Sequence, residues 1–301
     1  MIGRGMGDMI TAASLFILGA ILGSFAVAQV WRLRAHQLVE DHAAGEKVAR
    51  KELNRLKRLI RSPRHDRSEC LSCHHPLAWY DLLPGISWIS LRGRCRYCHA
   101  PIGSTEVLAE LGLGAVFALS FLFWPHQLLS NLQLGHFALW LVACVLMAIL
   151  FVYDAKWYLL PFRINLALIG VAILIAGVVL AETGWSSEVL GSMLLGVVFM
   201  AGIYFIFSLF GWVGLGDSIL CVGLALIMGS WQYALLALFL ANLFGCLMLI
   251  PIAVAGKLQR SMHIPFGPFL ILGTLVTLLW GDTLIQLFFA LMSAPAMMLM
   301  V

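Results

Sequence analysis

Residues 189–256 read VLGSMLLGVVFMAGIYFIFSLFGWVGLGDSILCVGLALIMGSWQYALLALFLANLFGCLMLIPIAVAG, and the one charged side chain among them is Asp217. A helix needs about 20 apolar residues to cross the hydrocarbon core of a bilayer, and this stretch offers several such lengths. A lone carboxylate between two runs of lipid-grade hydrophobicity is costly unless it has a task or a partner. Gly214 and Gly216, just ahead of it, let the backbone bend and approach other groups closely, so the carboxylate can be presented away from lipid.

Outward from this stretch the pattern repeats. Charges are also absent from 9–31, 111–153, 164–181 and 283–301, and the window 261–281 holds one histidine and no formal charge. Hydrophobic residues make up 61% of the 301-residue chain and charged residues 11%. That composition excludes a soluble globule and marks an all-α polytopic membrane protein. The windows 111–153 and 218–256 are long enough for two spans each, so about eight transmembrane helices are predicted, with a ninth if 283–301 crosses separately.

Lysine and arginine set the orientation. Fourteen of the nineteen lie between Arg32 and Arg96, and Lys156, Arg163, Lys257 and Arg260 occupy short gaps between spans. The opposite loops carry Glu182, Glu188 and Asp282, with Arg4 the exception. The positive-inside rule then places 32–103, 154–163 and 256–263 in the cytoplasm. The net charge of +4 follows from this topology, and no nucleic-acid partner is implied. Ala26-Val27-Ala28 resembles a signal-peptidase site, but the 9–31 run is too long for an ordinary signal core, and Arg32 and Arg34 follow at once. A retained first helix is expected, followed by a cytoplasmic segment over 32–103 and a membrane bundle over 104–301.

The cytoplasmic segment has two parts. From Ala35 to Arg67 it is strongly charged, with Val48, Leu53, Leu56, Leu59 and Ile60 at near-helical spacing. This predicts a basic amphipathic helix ending before Ser62-Pro63, either lying on the anionic inner leaflet or serving as a solvated spacer. The second part holds two Cys-x-x-Cys knuckles, Cys70 with Cys73 and Cys95 with Cys98. Four thiolates complete a closed tetrahedral zinc site with no open position, so the metal is expected to be structural. A disulfide pair is the alternative, disfavoured in a reducing compartment. His74, His75 and His99 flank the thiols as bystanders, and Cys144, Cys221 and Cys246 lie in apolar runs as packing residues. His126 and His136 are read as loop or interfacial residues, and Gly19 with Gly23 as a close-packing helix face.

A second aspartate, Asp154, closes the 111–153 run, so both carboxylates fall at cytoplasmic span boundaries. Like charges held close share a proton, which lets one carboxylate activate a water while the other protonates the substrate, the logic of an aspartic protease. The structural alternative pairs Asp154 with Lys156 or Arg163 and makes Asp217 the cap of a helix. A proton relay of a carrier is a third reading.

Taken together, these motifs resemble the type IV prepilin peptidases, polytopic aspartic proteases of the Gly-x-Gly-Asp type. Gly23-Ser24-Phe25 with Trp31-Arg32-Leu33 is similar to the first-helix motif. The knuckles bracket Asp81-Leu82-Leu83-Pro84, Ser87-Trp88 and Leu91-Arg92-Gly93-Arg94, as in the family's zinc-bearing domain. Pro101-Ile102, Glu110-Leu111, Asp154 with Pro161, Gly214 to Asp217, and Pro265-Phe266-Gly267-Pro268-Phe269 follow in the family's order. The resemblance implies cleavage of prepilins or pseudopilins, substrates of type IV pili and type II secretion, after a glycine at the cytoplasmic face of the bacterial inner membrane. It implies Asp154 and Asp217 as the catalytic pair and Cys70, Cys73, Cys95 and Cys98 as zinc ligands. N-methylation of the new N-terminus with S-adenosylmethionine is implied as a second activity, its binding residues unassigned. The chain departs from the family pattern at Val27, Arg34, Thr105, Phe162 and Ile219. A non-proteolytic carrier or assembly scaffold reusing the fold is the contrasting reading, and Asp81, in the cysteine domain, is expected to be dispensable for cleavage.

Overall fold

The computed structural model describes residues 5–60, 68–126, 128–256 and 264–298, with side chains up to Leu291. Its helices are α1 (Met6–Ala43), α2 (Arg50–Leu56), α3 (Ile86–Ser90), α4 (Ser104–Leu122), α5 (Asn131–Trp157), α6 (Phe162–Glu182), α7 (Ser187–Leu209), α8 (Leu215–Met228), α9 (Trp231–Val254) and α10 (Gly267–Met298). Seven of these, α1, α4, α5, α6, α7, α9 and α10, are long and apolar enough to cross a membrane.

The eighth predicted span is α8, and it is short. Its 14 residues rise about 21 Å, less than a hydrocarbon core of about 30 Å. It ends at Gly229, a left-handed cap, and α9 begins immediately with Ser230, whose Oγ accepts the Tyr233 N–H at 3.3 Å. Nine of its fourteen residues are buried, against α6, α7, α9 and α10, so protein rather than lipid satisfies it. The run from Thr283 is the continuation of α10 and not a further span. Lys257, Arg260 and the Ser62-Pro63 helix end lie outside the described residues.

The chain divides into two compact units. The first comprises the described residues up to Leu122 together with Cys144–Val152, and the second comprises Phe123–Ala143 and the chain from Tyr153 onward. In the first unit α1 packs along α4, and the small-residue face decides how closely. A Cβ at Gly19 or Gly23 would lie 2.7 Å from the carbonyl oxygen of Leu113 or Ala109. The basic segment differs from its expected form. α1 runs on to Ala43, the chain reverses near Gly45, and α2 folds back so that Leu56 packs on Ala35 and Leu38. Val48, Leu53, Leu59 and Ile60 join this cluster with Trp31, so the apolar stripe faces α1. Arg34, one of the departures from the family pattern, holds the hairpin through two 3.3 Å contacts with Glu52.

The two cysteine knuckles have matching backbones. Cys70 N–H donates to His75 O and Cys95 N–H to Ala100 O, at 3.0 and 2.9 Å. His74 and His99 take the same left-handed conformation, and isolated bridges Glu69–Pro76 and Arg94–Pro101 close both turns. Asp81 ties the intervening loop to the second knuckle, accepting from Arg96 Nε at 2.8 Å and Tyr97 Oη at 3.0 Å. Burial opposes the effect, but these two hydrogen bonds hold the Asp81 carboxyl below its ordinary value.

Candidate functional site

Within the second unit, Asp154 occupies the last turn of α5. That helix ends because Tyr158 turns left-handed, its N–H returning to the Asp154 carbonyl at 2.8 Å. Pro161 then caps α6, fixing a tight reversal that carries Leu160 back across the site. A Cβ at Gly216 would lie 3.1 Å from Leu160 Cβ, so Leu160 packs where glycine leaves space.

Asp217 arrives from α8. The expected capping role does not describe it: α8 starts at Leu215 with Gly214 as its cap, and Asp217 is the third helical residue. Its Oδ2 folds back over this first turn toward Gly214. Asn165 on α6 secures the same turn by donating from Nδ2 to Gly216 O at 3.3 Å.

Both carboxylates are buried, Asp154 at 4% and Asp217 at 9% exposure, and they are close enough to interact electrostatically. The expected alternative pairing of Asp154 with Lys156 or Arg163 is not what its carboxylate meets. Its oxygen Oδ2 accepts the N–H of Gly267, the first residue of α10, at 3.0 Å. Asp217 Oδ1, Asn165 Oδ1 and Ser218 Oγ are buried without hydrogen-bond partners among the described residues. Buried polar atoms are ordinarily satisfied, so three such atoms around one helical turn describe a place suited to a polar ligand. Tyr204, buried on α7, faces Asp217 and Cys221 and packs its ring against Phe266 at 6.2 Å.

From the sequence, Asp154 and Asp217 could share a site if their spans packed together, and the two buried carboxylates lie within electrostatic reach of each other. Sequence alone assigned no task to Gly267, Asn165, Leu160 or Tyr204. The quoted Pro265–Phe269 motif held the one detectable signal, a glycine opening a helix between two prolines. His136 is buried against Trp124 and His126, with ring centroids 5.4 and 5.2 Å away, at the other end of α5 from Asp154.

In the first unit the four sulfurs of Cys70, Cys73, Cys95 and Cys98 lie within 4.8 Å of one another, with Cys70 and Cys98 3.9 Å apart. A metal bound at about 2.3 Å by four sulfurs in a tetrahedron spaces them about 3.8 Å apart, so this cluster can hold one ion.

Two family models match the chain. Residues 17–124 match the Bacterial Peptidase A24 N-terminal domain, and residues 141–250 match the Type IV leader peptidase family. The chain is 33% identical over 223 residues to a prepilin leader peptidase/N-methyltransferase of Aeromonas hydrophila, covering 72% of this chain and 73% of the relative. A protein of the same description from Burkholderia pseudomallei is 30% identical over 280 residues, 89% of this chain and 85% of the relative. A type 4 prepilin-like proteins leader peptide-processing enzyme of Escherichia coli O78:H11 is 29% identical over 273 residues, 86% and 90% of the two chains. No solved structure matches the chain significantly.

Proposed function

The chain belongs to the type IV leader peptidase family of prepilin leader peptidases, and on that premise we propose that Asp154 and Asp217 are its catalytic pair. The observation that carries the proposal is the pair itself: two carboxylates on membrane helices, both buried, within electrostatic reach of each other. One carboxylate, as its anion, takes a proton from a water whose oxygen attacks the scissile carbonyl carbon. The other gives its proton to the amide nitrogen as the C–N bond breaks, and no covalent intermediate forms. The first N–H of α10 favours negative charge on Asp154, which suits Asp154 to the base and Asp217 to the acid. Asn165 Oδ1 and Ser218 Oγ are available to the substrate's peptide groups beside them.

The substrate is a prepilin or pseudopilin of a type IV pilus or type II secretion system, cut after a glycine ahead of its apolar helix. Lysine and arginine placement supports an inner-membrane protein with 32–103 and the aspartates toward the cytoplasm and 104–301 as the protease bundle. Zinc is the metal that suits four cysteine thiolates, held for structure and not for reaction. Methylation of the new N-terminus with S-adenosylmethionine rests on the description of the relatives.

The experiment is co-expression with a prepilin substrate, scored for leader removal. Asp154→Asn and Asp217→Asn should each reduce cleavage by orders of magnitude while the protein accumulates normally. Normal leader removal by either variant would refute the pair, and failure of the unaltered chain to remove the leader would favour a carrier or scaffold.

A further inference from the structure

The cysteine domain carries a group of exposed apolar side chains that its own fold does not cover. Ile86 and Ile89 are each 66% exposed, and Leu82 and Leu83 on the preceding turn are exposed too. Ile86 and Ile89 are three residues apart on α3 and so share one face of it. Single exposed apolar residues are ordinary, but four within eight residues are a patch.

What covers this patch follows from where it is fastened. Gly85, between Leu83 and Ile86, donates its N–H to Glu110 Oε2 of α4 at 2.8 Å, and a Cβ there would lie 3.5 Å from Leu111 Cδ2. Glu110 is six residues into α4, about 9 Å along its axis. α4 has only 19 residues, about 28 Å, and so has no length to spare in crossing a core of about 30 Å. The fastening point therefore lies no further from the bilayer centre than the boundary layer. Leu108 and Leu111 on α4 are themselves exposed, one turn apart, and the patch continues the lipid-facing surface of α4 onto the cysteine domain. Arg92 and Arg94, exposed just after α3, add positive charge suited to anionic headgroups.

We infer that Leu82, Leu83, Ile86 and Ile89 are embedded in the headgroup boundary of the bilayer, so that the cysteine domain lies on the lipid surface. This inference rests on α4 crossing the membrane and not on the aspartates being catalytic.

A photoreactive benzoylphenylalanine placed at Ile86 or Ile89 of the full chain, in bilayers of phosphatidylethanolamine and phosphatidylglycerol, tests it. The control position is Ser72, exposed on the first knuckle. Irradiation should give phospholipid adducts at Ile86 and Ile89 several-fold more often than at Ser72, as read by mass, with the metal retained in all three proteins. Equal lipid labelling at the three positions overturns the inference. So does predominant crosslinking of Ile86 or Ile89 to protein, whether a second copy of the chain or a co-reconstituted prepilin.

Discussion

The N–H of Gly267 donates to Oδ2 of Asp154 across 3.0 Å, and a Cβ at position 267 would lie 2.8 Å from that same oxygen. The glycine thus does two things a larger residue cannot do together: it admits the carboxylate and bonds it. Gly267→Ala should push Asp154 off its position while leaving α10 formed. A misplacement of about 1 Å can cost about a hundredfold in rate, so cleavage should fall by that order with substrate affinity little changed. Steady-state kinetics on a purified prepilin check this, and an unchanged kcat would show that the contact is not needed.

Lengthening either carboxylate should be nearly as harmful as removing it. Asp154→Glu and Asp217→Glu keep the charge but displace it by about 1 Å, with an expected loss of about a hundredfold. Leader removal measured over a time course distinguishes this from a simple requirement for negative charge, under which both variants would cleave normally.

Asn165 should matter less than the aspartates but measurably. Asn165→Leu removes the bond to Gly216 O, worth about 1 kcal/mol, or roughly a fivefold loss of activity if that support is spent on holding the first turn of α8. Asn165→Asp, which leaves an acceptor where the carbonyl needs a donor, should be worse than Asn165→Leu in the same assay.

Removing one thiol should undo the cysteine domain and spare the membrane helices. Cys73→Ser and Cys98→Ser belong to matching turns and should release the metal to similar extents. Elemental analysis of the purified variants, with limited proteolysis over 68–103, reads out both effects. A domain that stays metal-free, folded and protease-resistant would contradict the assignment of a structural ion.

Orientation is testable separately. A cysteine at Ser187, exposed at the start of α7, should react with a membrane-impermeant thiol reagent from outside, and one at Ala44, exposed just past α1, should not. The reverse labelling would invert the topology.

Much of this was legible because lipid imposes a simple rule. Uncharged runs of sufficient length had to be helices, and the paired Cys-x-x-Cys spacing could converge on one ion. What stayed hidden depended on contacts between distant segments. Window length could not show that α8 stops at Gly229, because its apolar character is that of a span; a glycine and a capping serine end it. Nor could periodicity show that Val48, Leu53 and Leu56 would find α1, since an amphipathic face fits a leaflet or a neighbouring helix equally. Asp81 also gains a task. Bonded to Arg96 and Tyr97, it holds the cysteine domain together, so Asp81→Asn should loosen that domain and serves poorly as an inert control.

The α1–α2 hairpin bears on the order of synthesis. Leu56 meets Ala35 and Leu38 across fewer than thirty residues, and the Arg34–Glu52 pair closes a loop of similar length. Contacts this local form quickly and need nothing from later in the chain. The hairpin, complete at Leu56, therefore leaves the ribosome well before Cys98, the last of the four thiols, does. Metal loading is left as a later event in biogenesis, performed on a chain whose first span is already anchored and braced.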